Sequence, residues 1–181
     1  MPPDPASDRP ELLARALLEQ NSYLTLATAN AAGVPWASPV WFAARDLGEF
    51  VWASKPGSRH SCNIAERPLV SLVIFDSSKK PGEGSALYLT ADAELVHNET
   101  FDQALELYNE RSAERGLPAW DPAQLREPAR HRLYRAITLE AFVLDDRDER
   151  VSVPVPNSRP LDSNPPHSHP LEDREHDRGG T

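Results

Sequence analysis

Apolar residues recur along this chain first at helical and then at strand spacing. Ser7, Asp8 and Glu11 precede Leu12, Leu13, Ala16, Leu17 and Leu18. Asp8 with Glu11 three residues on has the form of a capping box, and the pattern predicts a helix from about Arg9 to Gln20. Residues 22–28 (SYLTLAT) then alternate polar and apolar, as a half-buried strand does. Asn30 to Gly33 supplies a turn in which Gly33 can take a positive φ. A second strand is expected over residues 36–44 (WASPVWFAA), edge-like or bulged at Pro39, which cannot donate to a ladder. A third covers residues 49–54 (EFVWAS), and a meander of the three is the simplest pairing.

Lys55-Pro56-Gly57-Ser58 turns into a short helix over residues 59–66, ended by Pro68. The apolar run 69–75 (LVSLVIF) fits one buried strand, and residues 77–85 (SSKKPGEGS) read as loop. Alternation returns over residues 86–96. Asn98 can cap a helix carrying Phe101, Ala104, Leu105 and Tyr108 on one face, with Gly116 and Pro118 at its end. Residues 133–144 form the last clear strand, and residues 151–155 a short partner. Mostly antiparallel strands with few helices point to a mainly β fold, a closed or nearly closed barrel with peripheral helices.

Composition narrows the packed part. Of the 181 residues, 18 are proline, and ten of these lie in the first ten positions and the last thirty. The expected division is a flexible start (1–10), one domain (11–151) and a disordered tail rich in proline, histidine and acid (152–181). The net charge of −9 offers no cationic stripe for nucleic acid and favours a soluble protein that avoids anionic membranes. A single cysteine, Cys62, suits a reducing compartment. With no export signal or membrane-length apolar run in view, the cytoplasm is the expected location.

The chemistry concentrates in residues 51–64 (VWASKPGSRHSCNI). A strand ends at Ser54, a Pro-Gly turn follows, and Ser58-Arg59-His60 opens a helix. A helix N-terminus offers free N–H groups and positive partial charge. Ser58, Arg59 and His60 add donors there, with Lys55 on the approach, a combination that suits a phosphate monoester. The plainer reading is a serine N-cap with two solvated cations. Cations at a helix N-terminus oppose its dipole, which argues for an anion.

The succession LATANAAGVPWASPVWFA, FVWASKPGSRHSCNI, ERPLVSLVIFD and ALYLTADAELV resembles the FMN-binding split-barrel family related to pyridoxamine 5'-phosphate oxidase, from about Leu12 to Leu144. The resemblance implies a six-stranded antiparallel split β-barrel, a homodimer with cofactor at the interface, and hydride transfer at a flavin to an unknown small molecule. It places the strand Pro39, Val40, Trp41 and Phe42 along the flavin ring. Trp52, Ala53 and Ser54 would contact the cofactor at a strand end, with Lys55 flanking. Ser58, Arg59 and His60 fall on the family's phosphate element, with His60 where lysine is common. Ala86 replaces a flavin-contacting glutamine, and the arginine motif of the vitamin oxidase is matched only faintly by Arg132 to Arg135. Pyridoxamine phosphate is therefore not the expected substrate. Relatives that use the deazaflavin coenzyme F420, and non-catalytic flavin- or haem-binding proteins of this fold, are the alternatives.

The remaining candidates have plainer roles. Trp36 and Trp120 are expected in core or interface packing, as aromatic residues usually are. Trp41 and Trp52 lie on cofactor-facing strands by resemblance. Cys62 is expected in the core, since no base accompanies it. Lys79 and Lys80 suit a solvated turn. His167, His169 and His176 lie in the tail without the fixed geometry a metal needs, so no metal site is expected. No side chain stands out as catalytic, because a flavin supplies its own electron chemistry.

Overall fold

The structure is a computed structural model and describes residues 9–80, 82, 84–144 and 148–156. Three helices, α1 (Arg9–Gln20), α2 (Arg59–Glu66) and α3 (Asn98–Glu114), surround eight strands. These are β1 (Tyr23–Ala29), β2 (Pro35–Trp41), β3 (Ala43–Arg45), β4 (Glu49–Ser54), β5 (Leu69–Phe75), β6 (Ala86–Leu95), β7 (Arg132–Leu144) and β8 (Arg150–Val153). The eight exceed the expected six by the short strands β3 and β8. All ladders are antiparallel, in the order β2-β1-β5-β6-β7-β4-β3, with β8 added against β7.

Both pairings of the expected meander form, but at opposite ends of the sheet. The predicted second strand breaks at Phe42 into β2, which pairs with β1, and β3, which pairs with β4 at the other end of the sheet. Two ends of a seven-strand path joined through one residue force the sheet to curl back on itself, which makes the split barrel. Phe42 turns its ring into the barrel, fully buried, while Ala43 packs on the outside beneath α3. Pro39 sits on β2, whose one ladder neighbour is β1, so the missing donor falls on an edge strand.

Alternation sorts the apolar residues into two clusters. Phe50 and Trp52 of β4 face the interior with Leu24, Leu26, Leu72, Leu87 and Leu89. Val51 and Ala53 face outward to Phe101, Leu105 and Tyr108 of α3. Each fully buried leucine or aromatic side chain contributes about 1.5–3 kcal/mol by leaving water, so both layers matter to stability. The β6–β7 register slips between Thr90 and Ala91. Across that bulge the buried positions of β7 change from Tyr134, Ala136 and Thr138 to Ala141 and Val143, as one extra residue must cause.

Helix α1 matches its predicted range and adds Ala14 and Leu17 to the barrel core. Asp8, its expected cap partner, lies outside the described residues, as do Pro81, Glu83 and the proline-rich tail from residue 157. Asn98 opens α3 as its first residue, and His97 stands at the cap position without a side-chain cap bond. Gly116 takes φ 68° just beyond the helix, where a left-handed residue reverses the chain. No described helix is long and apolar enough to cross a membrane.

Candidate functional site

Strand β2 and strand β4 lie near each other across the split but share no ladder. The gap is bridged by a side chain from α2. Nδ1 of His60 lies 3.1 Å from Ser38 Oγ on β2, and Nε2 lies 2.8 Å from Ser54 Oγ at the end of β4. Nε2 also lies 3.0 Å from Ser58 Oγ. Ser58 in turn donates to Ser61 Oγ at 2.9 Å, and the Ser61 hydroxyl bonds Tyr134. With its own proton given to Ser61, Ser58 accepts from Nε2–H, and Nδ1 accepts from the Ser38 hydroxyl. Burial lowers the His60 pKa, so the ring is neutral near pH 7 and acts as a hub that orients three serines.

Because Ser58 is used in this way, it does not cap its helix. It is the N-cap residue of α2, in extended conformation, and makes no side-chain cap bond. Among the described residues, the N–H groups of Arg59, His60 and Ser61 have no partner. Arg59 is exposed and makes no ion pair among the described residues; its guanidinium lies over the Trp36 ring, 4.4 Å from the centroid. Lys55 is exposed and its carbonyl accepts from Ser58 N–H at 3.0 Å, which closes the Pro-Gly turn. An open helix N-terminus flanked by two uncommitted cations can hold a phosphate or another compact anion.

The other expected contact residues are placed differently. Val40 and Phe42 bury their side chains, and Trp52 is fully buried. Trp52 stacks on Tyr134 at 6.1 Å and 16°, and its Nε1 has no partner. These three can meet a ligand only through their main chain. Pro39 is exposed on the outward side of β2, and Trp41 is partly covered by Tyr108, edge to face at 4.8 Å. Burial pushes the Tyr108 hydroxyl up to about 12, and it bonds the backbone of Ala53. Cys62 corrects the expectation of core packing. The buried residues of α2 include Ser61, Asn63 and Ile64, which leaves Cys62 exposed with its thiol donating to the Pro56 carbonyl at 3.7 Å. Ser38 escaped the sequence reading, since nothing in WASPVWFAA marks one serine as a histidine partner.

Two cavities lie elsewhere. One of about 250 Å³ opens where α1 meets α3 and β3, lined by Arg15, Glu19, Asp46, Glu110, Arg111 and Glu114 among others. The second, about 260 Å³, lies beneath Pro154 to Pro156 against α1. Carboxylates predominate among the charged groups of the first, and a phosphate would be repelled there. The cationic shelf at α2 is the better anion site although it lines neither cavity. No group of three or more His, Cys, Asp or Glu side chains that could hold a metal occurs among the described residues.

The family model described as pyridoxamine 5'-phosphate oxidase matches residues 13–143. The chain belongs to the pyridoxamine 5'-phosphate oxidase family. Among solved structures of this fold, HutZ, the haem storage protein from Vibrio cholerae, is 24% identical. It superposes with a TM-score of 0.55 over 68% of this chain and 86% of its own. Campylobacter jejuni ChuZ gives 19% identity and a TM-score of 0.64, covering 93% of this chain and 68% of that one. A structure titled F420 reductase gives 22% and 0.51, covering 70% and 94%. At these identities the likeness concerns the fold. No curated protein matches the sequence.

Proposed function

We propose that the protein is an FMN-binding oxidoreductase of this family, with the flavin phosphate held at the N-terminus of α2. The observation that carries this reading is the uncapped α2 N-terminus, where Ser58 is turned away to the His60 hub and Arg59 has no carboxylate partner among the described residues. Arg59 and Lys55 would supply charge to the phosphate, and Ser54 and Ser58 hydroxyls held by His60 would line it. His60 is then a positioning residue and not the phosphate ligand that a lysine there would be. Bound flavin would supply hydride acceptance and donation at its ring. The unpaired edge of β2 offers main-chain N–H and C=O groups to the ring, and Val40 and Phe42 hold that edge in place by their burial.

A second copy of the chain fits the outer face of β2, β1 and β5. Tyr23, Leu69 and Phe75 are large and exposed there, beside exposed Ala37 and Pro39, and no described helix covers them. A contiguous apolar face of this kind marks an interface, which supports a homodimer with the cofactor beside it. Phe75→Glu is expected to halve the sedimenting mass; an unchanged dimer would place the interface elsewhere.

The fold neighbours also carry haem and F420, so the cofactor is the point to test. The absorbance spectrum of the purified protein, and of what it releases on denaturation, is expected to match FMN. A colourless protein that takes up F420 and not FMN would replace the flavin reading with a deazaflavin-dependent reductase. Haem uptake in place of either would favour a binding role without turnover.

A further inference from the structure

The end of β4 and the start of β7 pair through Ser54 and Arg132. Lys55 and His131 are thereby neighbours beyond the last rung of the ladder. The segment around His131 is dense in arginine, and most of that charge is committed. Arg126 pairs with Asp102 at 3.4 Å, Arg132 with Glu127 at 3.6 Å, and Arg135 with both Glu49 and Glu94. Arg130 has no ion pair among the described residues and is exposed; neither has Lys55. Both press on His131, lowering its pKa together with burial, which is the larger cause. Two cations, Arg130 and Lys55, thus act on one neutral imidazole with no ion pair of their own among the described residues, in a chain of net charge −9. Like charges left so close oppose one another unless an anion comes between them.

The place is also rigid and has an aromatic wall. Trp120 meets the His131 ring edge to face at 5.7 Å and 76°, and packs on Tyr108 at 6.3 Å. Asn109 of α3 grips the Trp120 main chain in both directions, its amide donating to the carbonyl at 3.0 Å and its oxygen accepting the N–H at 2.8 Å. Asp121 and Gln124 complete a reciprocal capping box just after it, and Leu125 is buried beneath α3. Trp120 and His131 remain partly exposed, so this wall can be touched from solvent.

We propose that Arg130, Lys55 and His131 form an anion subsite distinct from the α2 phosphate site, and that it takes the carboxylate of a planar aromatic acid whose ring lies against Trp120. The Arg130 fork matches the two oxygens of a carboxylate, and Lys55 adds a point charge. His131 faces Lys55 from the β4 turn and Arg130 from its own segment, with Arg132 and Glu127 engaged with each other. That this ligand is the substrate rests on the oxidoreductase reading; that it binds does not.

Naphthalene-1-carboxylate is the probe, with naphthalene-1-carboxamide and 1-naphthyl phosphate as its comparisons. The His131 imidazole is titrated by NMR with each. The carboxylate is expected to bind and to raise the His131 pKa, and the amide to do neither. Arg130→Ser, at an exposed position, is expected to weaken carboxylate binding about tenfold or more. Equal binding of the amide, or no rise at His131, would overturn the anion subsite, and preference for the phosphate would overturn the carboxylate assignment. FMN uptake measured on the same samples fails or succeeds independently, so loss of the flavin reading alone leaves the probe result standing.

Discussion

Two groups of arginines in this molecule have opposite fates. Near the C-terminal end of α3, Arg111 donates to the carbonyls of Leu18, Glu19 and Asn21 at 2.8, 3.3 and 3.1 Å. Arg115 donates to Glu19 and Asn21. Helix α1 has no basic residue in its own last turn, so α3 supplies the cations that its C-terminal carbonyls call for. At the other end of the comparison, Arg59 and Arg130, with Lys55 beside them, make no ion pair among the described residues. The difference teaches that charge alone does not mark a site. An arginine whose donors are filled by the fold is structural, and one left open beside an uncapped helix is available to a ligand.

Substitutions should separate the two groups. Replacing Arg111 by Met leaves the Leu18 carbonyl without a charged donor and those of Glu19 and Asn21 with Arg115 alone, and a loss of about 1.5–3 kcal/mol of stability is expected in urea unfolding. A loss under about 0.5 kcal/mol would erase the structural half of the comparison. Arg59→Ala is expected to do the reverse. Its FMN affinity should fall by about 10- to 100-fold, the range of one charge-assisted bond. Its unfolding should stay within about 0.5 kcal/mol of wild type, as for most surface substitutions. Ser58→Ala should cost less than the ~1 kcal/mol of an ordinary N-cap, since Ser58 does not cap; a full cap penalty would show that its hydroxyl turns to the helix in solution.

The smallest effect concerns pH. The folded-state pKa of His60 is depressed below its ordinary 6.5. Stability from the neutral ring is therefore present above about pH 6.5 and is lost as pH falls through that value toward the folded one. His60→Lys removes this titration, and its thermal midpoint should decline less over the same window. Equal slopes in both proteins would mean that burial does not hold the ring neutral.

Much of the architecture was legible because local signals agreed with the final packing. The α1 range, the limits of β4 and β5, and the turn at Gly33, whose φ is 80°, all follow from periodicity and turn chemistry. The break at Phe42 was not legible. Residues 40–44 (VWFAA) are apolar throughout with no turn residue among them, and only the closing of the sheet, a non-local event, sends one half to β1 and the other to β4. The site was visible as residue types at a helix start. Its wiring was not, because the partner Ser38 comes from a strand 22 residues away. Cys62 failed for a related reason: residue type favours burial, but the helix face that α2 turns to the barrel belongs to Ser61, Asn63 and Ile64. The cationic pair Lys55 and Arg130 is separated by 75 positions in the sequence, and the β4–β7 register brings their segments together.

The central claim is that the open N-terminus of α2 anchors a flavin phosphate. The most direct test is a fluorescence titration of the protein with FMN and with riboflavin, which lacks the phosphate, in wild type and Arg59→Ala. The account predicts that wild type binds FMN far more tightly than riboflavin and that Arg59→Ala removes most of that preference. Equal affinity for both flavins in wild type, or an FMN preference untouched in Arg59→Ala, would contradict it.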